Sequence, residues 1–196
     1  PRPNPTSSSA ASDVYKRQEA LKSAGHDGDI DYARSLLVER LALAAELADS
    51  YRVRLAFEPL HPMVCGFRSI VSTLQESLDI LDQMDDSHDI GLAIDTYALW
   101  WEHDLQEKLK RAGRRILNYH VSDWLADTRD LRLDRGMPGD GQIALCDWRH
   151  MIEAAGYFGP IEVEIFSRDR WWKTPAEKMI EAVSYTHLRA HETDTD

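Results

Sequence analysis

Positive charge is in short supply in this chain. Lys and Arg together number 23 against 34 Asp and Glu, a formal net charge of -11 over 196 residues. An acidic chain is poorly equipped for the phosphate contacts that dominate nucleic-acid affinity, and anionic membranes repel it, so neither is expected as a partner. Cysteine is scarce as well. The two present, Cys65 and Cys146, lie in different segments without metal-type spacing, which reads as a pair of reduced thiols in a cytoplasmic protein. No apolar run approaches the roughly 18 residues of a membrane span. What remains, 43% hydrophobic and 29% charged, is the profile of an ordinary soluble protein with one substantial core.

The two ends lack the apolar periodicity of the interior. Residues 1–18 are rich in Pro and Ser and carry no long apolar stretch of the signal-peptide kind, so they are set aside from fold reasoning. Both that flank and the tail 184–196 resemble translated sequencing-adapter sequence. The expectation is a non-native or disordered flank, one domain over 19–183, and a non-native or disordered tail. His187 and His191 in the tail are four residues apart and followed by Glu192. The zinc-protease order is His-Glu-x-x-His, so that grouping reads as accidental.

Between the ends, short β-rich runs alternate with stretches of helical spacing. Leu36, Leu37, Leu41, Ala44 and Leu47 predict a helix over 31–50, with Asp29 or Asp31 placed to cap it. A strand is expected over 53–59, stopped by Pro59 and Pro62, which cannot donate to a ladder. Ile70, Leu74, Leu78 and Leu81 predict a helix over 69–84. Further strands are expected over 90–96, 116–122 and 161–166, and further helices over 105–112, over 147–155 before Gly156, and from 174 onward. Strand, helix, strand, helix implies parallel strands with helical crossovers. The polar loop 134–143 holds three glycines and a proline, the chemistry of tight turns beside a catalytic mouth.

Each strand ends in a residue that binds hard cations: Glu58, Asp95, His120 and Glu164. Parallel neighbours put their C-terminal ends on one side, where barrel enzymes keep their active sites. One such residue is weak evidence, since a lone strand-end carboxylate is more often a cap and a lone buried histidine is more often a hydrogen-bonded core residue. Four at the same end of one sheet are much stronger. Two glutamates, an aspartate and a histidine form a mostly oxygen-donor set that suits Mn²⁺, Mg²⁺ or Co²⁺. Trp100 and Trp101 fit either the core or one wall of a substrate pocket.

The motifs Glu-Pro-Leu-His-Pro at 58–62, Ile-Asp-Thr-Tyr-x-Leu-Trp-Trp at 94–101, His-Val-Ser-Asp at 120–123, Arg-x-Met-Pro-Gly-Asp-Gly at 135–141 and Val-Glu-Ile-Phe-Ser at 163–167 carry a resemblance. Together they resemble the sugar-phosphate isomerase and epimerase group of xylose-isomerase-like TIM barrels, over about residues 29–182. The resemblance implies that Glu58, Asp95, His120 and Glu164 bind one divalent metal, often manganese. It implies that Glu58 and Glu164 also move substrate protons through an enediolate, and that Arg135 contacts substrate oxygens. Trp100 and Asp123 are carried as further substrate-binding candidates, and Glu162 has no counterpart. Related ketose epimerases carry a substrate-binding histidine three residues after the metal aspartate. Ala98 stands at that position here and cannot donate a hydrogen bond, which leaves the binding mode open. His61 is a substitute donor, or it merely packs in its turn.

A full barrel has eight strands and typically about 250 residues. Four strand signals imply an α/β fold made of the last four βα units, the C-terminal half of a TIM barrel. Such a half exposes strand edges, so self-association into a homo-oligomer is expected and the segment alone is expected to be inactive. The expected function is a metal-dependent isomerase or epimerase of a ketose or related polyol. The alternatives are a lyase of the inosose-dehydratase type and an incomplete, non-catalytic fragment.

Overall fold

The computed structural model describes residues 28–64, 68–85 and 88–192. The flank 1–18, Cys65 and the last four residues of the tail lie outside the described residues. Four apolar runs pair into one sheet: β1 (Leu55–Phe57), β2 (Ile90–Asp95), β3 (Ile116–Val121) and β4 (Ile161–Val163). The order is β1-β2-β3-β4, and every pairing is parallel. Helix α1 (Ile30–Ser50) precedes β1 and α6 (Ala176–Glu192) follows β4, while α2 (Leu74–Leu81), α3 (Thr96–Leu99), α4 (Leu105–Ala112) and α5 (Leu145–Ala154) occupy the intervals, as parallel pairing requires. This is the strand and helix alternation expected of part of a (β/α)8 barrel. Among the described residues no helix is long and apolar enough to cross a membrane.

The core lies between the sheet and α2, α4 and α5. Leu74, Leu78 and Leu81 of α2, Leu105, Leu109 and Ala112 of α4, and Trp148 and Ile152 of α5 close over Leu92, Ile94, Tyr119 and Val121 of the sheet. Each fully buried leucine contributes roughly 1.5–3 kcal/mol of transfer free energy. Alternation along the strands then dictates the other face. With Leu92 and Ile94 turned to the helices, Ala93 and Asp95 must point away from them.

Between β2 and β3 the register slips by one residue. Leu92 pairs with Ile116, but Ala93 pairs with Asn118, which leaves Leu117 without a partner. The slip lets Ile116 enter the helix-side core while Asn118 and His120 turn to the opposite face beside Asp95. Gly91 makes room for it. A side chain there would fall on the Arg115 carbonyl oxygen and on Leu117.

Several expected boundaries move. The helix expected over 69–84 shortens to α2 because Val71 is taken up elsewhere: its carbonyl accepts from the Leu60 N–H at 3.1 Å. Thr73 then caps α2, its hydroxyl accepting from the Glu76 N–H at 3.0 Å. The first and last strands shrink to three residues each, being edge strands with one neighbour apiece. The short helix α3 was not anticipated. Asp95 starts it, accepting from the Tyr97 N–H at 3.0 Å. The last helix, expected from 174 onward, runs from Ala176 to Glu192. Cys146, at the start of α5, is an exposed free thiol.

Gly91→Ala is expected to destabilise the chain by about 1–3 kcal/mol, the usual cost of overpacking. Urea unfolding measures it, and a midpoint equal to wild type would show that the β2–β3 slip does not depend on this glycine.

Candidate metal centre

The inner face of the sheet collects the polar residues that alternation turns away from the helices. Glu58 follows β1, Asp95 ends β2, His120 lies in β3, and Glu164 follows β4, its N–H donating to the Val121 carbonyl at 3.1 Å. Strands three places apart in a flat sheet would stand about 14 Å from each other. Glu58 and Glu164 nonetheless reach toward one another over His120, and one ligand atom from each of the three lies within 4.8 Å of the others.

His120 is buried, and neither ring nitrogen has a hydrogen-bond partner among the described residues. Its Nδ1 stands 4.0 Å from Glu164 Oε2 and its Nε2 stands 3.8 Å from Glu162 Oε2, both too long for hydrogen bonds. A buried imidazole without a partner calls for an explanation. Carboxylates packed around it with nothing yet bonded to the ring are the donor set of a divalent cation site, so the residues present fit such an ion.

Electrostatics point the same way. Burial, then the charges of Asp95 and Glu164, push Glu58 up to about 8. Glu164 is also raised, first by burial, although Arg135 opposes the shift. The site is short of positive charge even with Arg135 beside it.

Asp95 stands slightly apart from the three. It is 1% exposed, and its Oδ2 accepts from Arg135 Nη1 at 2.8 Å while its other oxygen caps α3. The same Nη1 donates to Glu164 Oε2 at 3.0 Å. Burial works against the Arg135 charge, but Asp95, Glu164 and Glu58 outweigh it and hold the guanidinium above its ordinary value. Two rings flank it: Tyr97 at 4.5 Å and Phe166 at 5.0 Å from the guanidinium carbon. Sequence reasoning missed both. The available signal was an aromatic two residues after each of two ligand-type carboxylates, Asp95 and Glu164.

Arg135 is held from both sides. Its N–H donates to the Phe166 carbonyl at 3.0 Å, and its neighbours form isolated bridges, Asp134 with Ser167 and Gly136 with Asp123. Asp123 shapes the rest of this loop. Its Oδ1 accepts from the N–H groups of Trp124 and Ile143, and its Oδ2 accepts from those of Gly139 and Gly141, all at 2.9–3.0 Å. The structure therefore places this residue at the loop's backbone, where its oxygens are already engaged.

His61 packs in its turn, the second of the two roles open to it. Its Nδ1 accepts from the Met63 N–H at 3.2 Å within the turn, and its ring stacks on Trp124 at 4.9 Å. Burial, then Arg135, lowers its basicity. Trp124 in turn stacks on Tyr97 at 4.8 Å and meets Trp100 at 5.6 Å. Trp100 thus packs in an aromatic group next to Arg135, and its Nε1 is buried without a partner among the described residues. Ala98 is 2% exposed on α3, facing the core.

Comparison with known proteins agrees with this architecture. The family described as xylose isomerase-like TIM barrel matches residues 16–189. Protein SMc04130 from Sinorhizobium meliloti 1021 is 38% identical, with a TM-score of 0.80 over 90% of this chain and 70% of that one. The IolI protein, solved with a bound zinc atom, is 24% identical, with a TM-score of 0.67 over 80% of this chain and 55% of that one. D-psicose 3-epimerase from Clostridium cellulolyticum H10, solved with D-tagatose, is 21% identical, with a TM-score of 0.59 over 77% of this chain and 54% of that one. The likeness to the last two is one of fold, and the chain spans just over half of each. No curated protein matches.

The raised Glu58 fixes a pH dependence. A carboxyl group that binds its proton more tightly folded than unfolded contributes stability that is fully present below its ordinary value of 4.5 and is lost as the pH rises through about 8. The chelator-treated protein is therefore expected to unfold at lower urea at pH 9 than at pH 6, and Glu58→Gln is expected to shrink that difference. An identical difference in wild type and variant would show that Glu58 does not carry it.

Proposed function

The chain belongs to the xylose isomerase-like TIM-barrel family, and from that premise we propose that it serves as a divalent-metal-dependent isomerase or epimerase of a ketose or related polyol. The observation that supports this most directly is the convergence of Glu58, His120 and Glu164 within 4.8 Å around an imidazole that has no other partner. Glu58, Asp95, His120 and Glu164 hold the ion, with Asp95 turning to it from Arg135. The oxygen-rich set favours Mn²⁺, with Mg²⁺ or Co²⁺ next. When bound, the ion polarises the substrate's carbonyl oxygen and makes the adjacent carbon acid easier to ionise.

The chain's own residues do the rest. One of Glu58 and Glu164 takes the proton from the carbon beside the carbonyl, and the other delivers a proton back. They extend from the two edge strands and meet over His120, so a substrate at the centre lies between them. Arg135 orients a substrate oxygen with the donors that face the site. Trp100 Nε1 and His61 offer further contacts to hydroxyls, and the Tyr97 and Trp124 rings help to exclude water. A phosphodiester substrate fits less well, since the net charge is -11 and the ligand group contains a single histidine.

Purified protein is expected to bind about one divalent ion, and Asp95→Asn or His120→Ala to lower its metal content, since such changes commonly cost 10-fold or more in affinity. Equal metal content in wild type and both variants by elemental analysis would sink the assignment.

In the complete gene product, Glu58→Gln and Glu164→Gln are each expected to lose turnover by roughly 10² to 10⁴. A panel of ketoses in deuterium oxide measures it. Solvent deuterium on carbon with inversion marks an epimerase, and solvent deuterium with carbonyl migration marks an isomerase. Full activity in both variants would overturn the proton-transfer roles.

A further inference from the structure

We propose that Glu162 is a positioning residue for His120: its carboxylate accepts the proton on Nε2 and so presents Nδ1, unprotonated, to the site between Glu58 and Glu164. This rests on the metal reading above and adds to it a residue outside the ligand group.

The register makes the pairing. His120 and Glu162 are direct partners across β3 and β4, and alternation puts both on the inner face. Glu162 Oε2 stands 3.8 Å from His120 Nε2, while Nδ1 is the nitrogen on the Glu164 side. The other oxygen of Glu162 is already engaged, accepting from Asn118 Nδ2 at 3.2 Å. Asn118 lies two residues before His120 on the same strand and the same face, so β3 itself steers the Glu162 carboxylate toward the ring. A neutral imidazole can ligate through one nitrogen only if the other carries the proton, and in a buried site that proton needs an acceptor. Among the described residues, the carboxylates within 4.0 Å of the ring are Glu164 and Glu162. Glu164 belongs to the ligand group, which leaves Glu162. The half-exposed Glu162 side chain has to approach by only about 1 Å to close the bond.

The test uses the 196-residue chain as wild type, Glu162→Ala and Glu162→Gln. Nitrogen-15 spectra of the metal-free protein report the His120 tautomer, the signal being assigned by its loss in His120→Ala, and titration with Mn²⁺ reports affinity. Wild type is expected to hold His120 in its Nε2–H form. Glu162→Ala is expected to mix the tautomers and to weaken Mn²⁺ binding by about 10- to 100-fold. Glu162→Gln, whose single acceptor oxygen faces Nε2 once the Asn118 amide turns its own oxygen to the new NH₂, is expected to recover most of both, whether or not the alanine variant folds. An unchanged tautomer, with Mn²⁺ affinity within about twofold of wild type in both variants, would overturn the proposal and make Glu162 a solvated surface carboxylate. Failure of wild type itself to bind Mn²⁺ would overturn the metal reading instead, and the tautomer comparison would still decide whether Glu162 holds the ring.

Discussion

The site depends on a slip of one residue between two neighbouring strands. Side chains alternate strictly along a strand, so an unbroken pairing that sent Ile116 into the helix-side core would send His120 there as well. Skipping Leu117 reverses the parity just after Ile116, so that Ile116, Tyr119 and Val121 all feed the core while Asn118 and His120 face the polar centre. Gly91 on β2 supplies the space, and the helices that bury Leu92 and Ile94 fix which face is which. Core packing and site geometry are therefore one constraint seen from the two sides of a sheet.

On the inner face the dominant problem is uncompensated negative charge. Glu58 and Glu164 crowd one imidazole with Asp95 at their margin, and Arg135, the cation that answers them, bonds Asp95 and Glu164 through one nitrogen. Aromatic faces on either side let the guanidinium stay buried, because a planar, weakly hydrated cation loses less on leaving water than an ammonium would. Asp95 is shared between this cation and the cap of α3, which is why it sits at the margin of the cluster.

Much of this was legible in the sequence, and the boundary of what was legible has a physical cause. Glu58, Asp95, His120 and Glu164 stood out because each closes an apolar run, and the parallel order that brings them to one edge follows from strands alternating with helices. The slip at Leu117 left no trace, since a bulge is a property of two strands and each strand alone looks regular. The start of α2 was misplaced for a similar reason: Ser69 to Ser72 carry no helix breaker, and only the bond from Leu60 shows that the backbone there is committed elsewhere. Asp123 was carried as a substrate-binding candidate with the family resemblance, and nothing in the local pattern showed that its oxygens go to N–H groups as much as 20 residues further on. Local pattern predicts elements well and long-range polar commitments poorly.

The Asp123 carboxylate narrows what the chain can tolerate at that position. Two oxygens receive four N–H groups, two apiece, so both must act as acceptors. Asparagine has nearly the same shape, but its NH₂ would turn donors toward donors at half of the contacts. Glutamate has the right charge on a stem one carbon too long for a site in which Gly141 already lies against the carboxylate. In the vocabulary of sequence variation, this is a position with an alphabet of one letter, set by a loop's need for a central anion and independent of whatever the neighbouring centre binds.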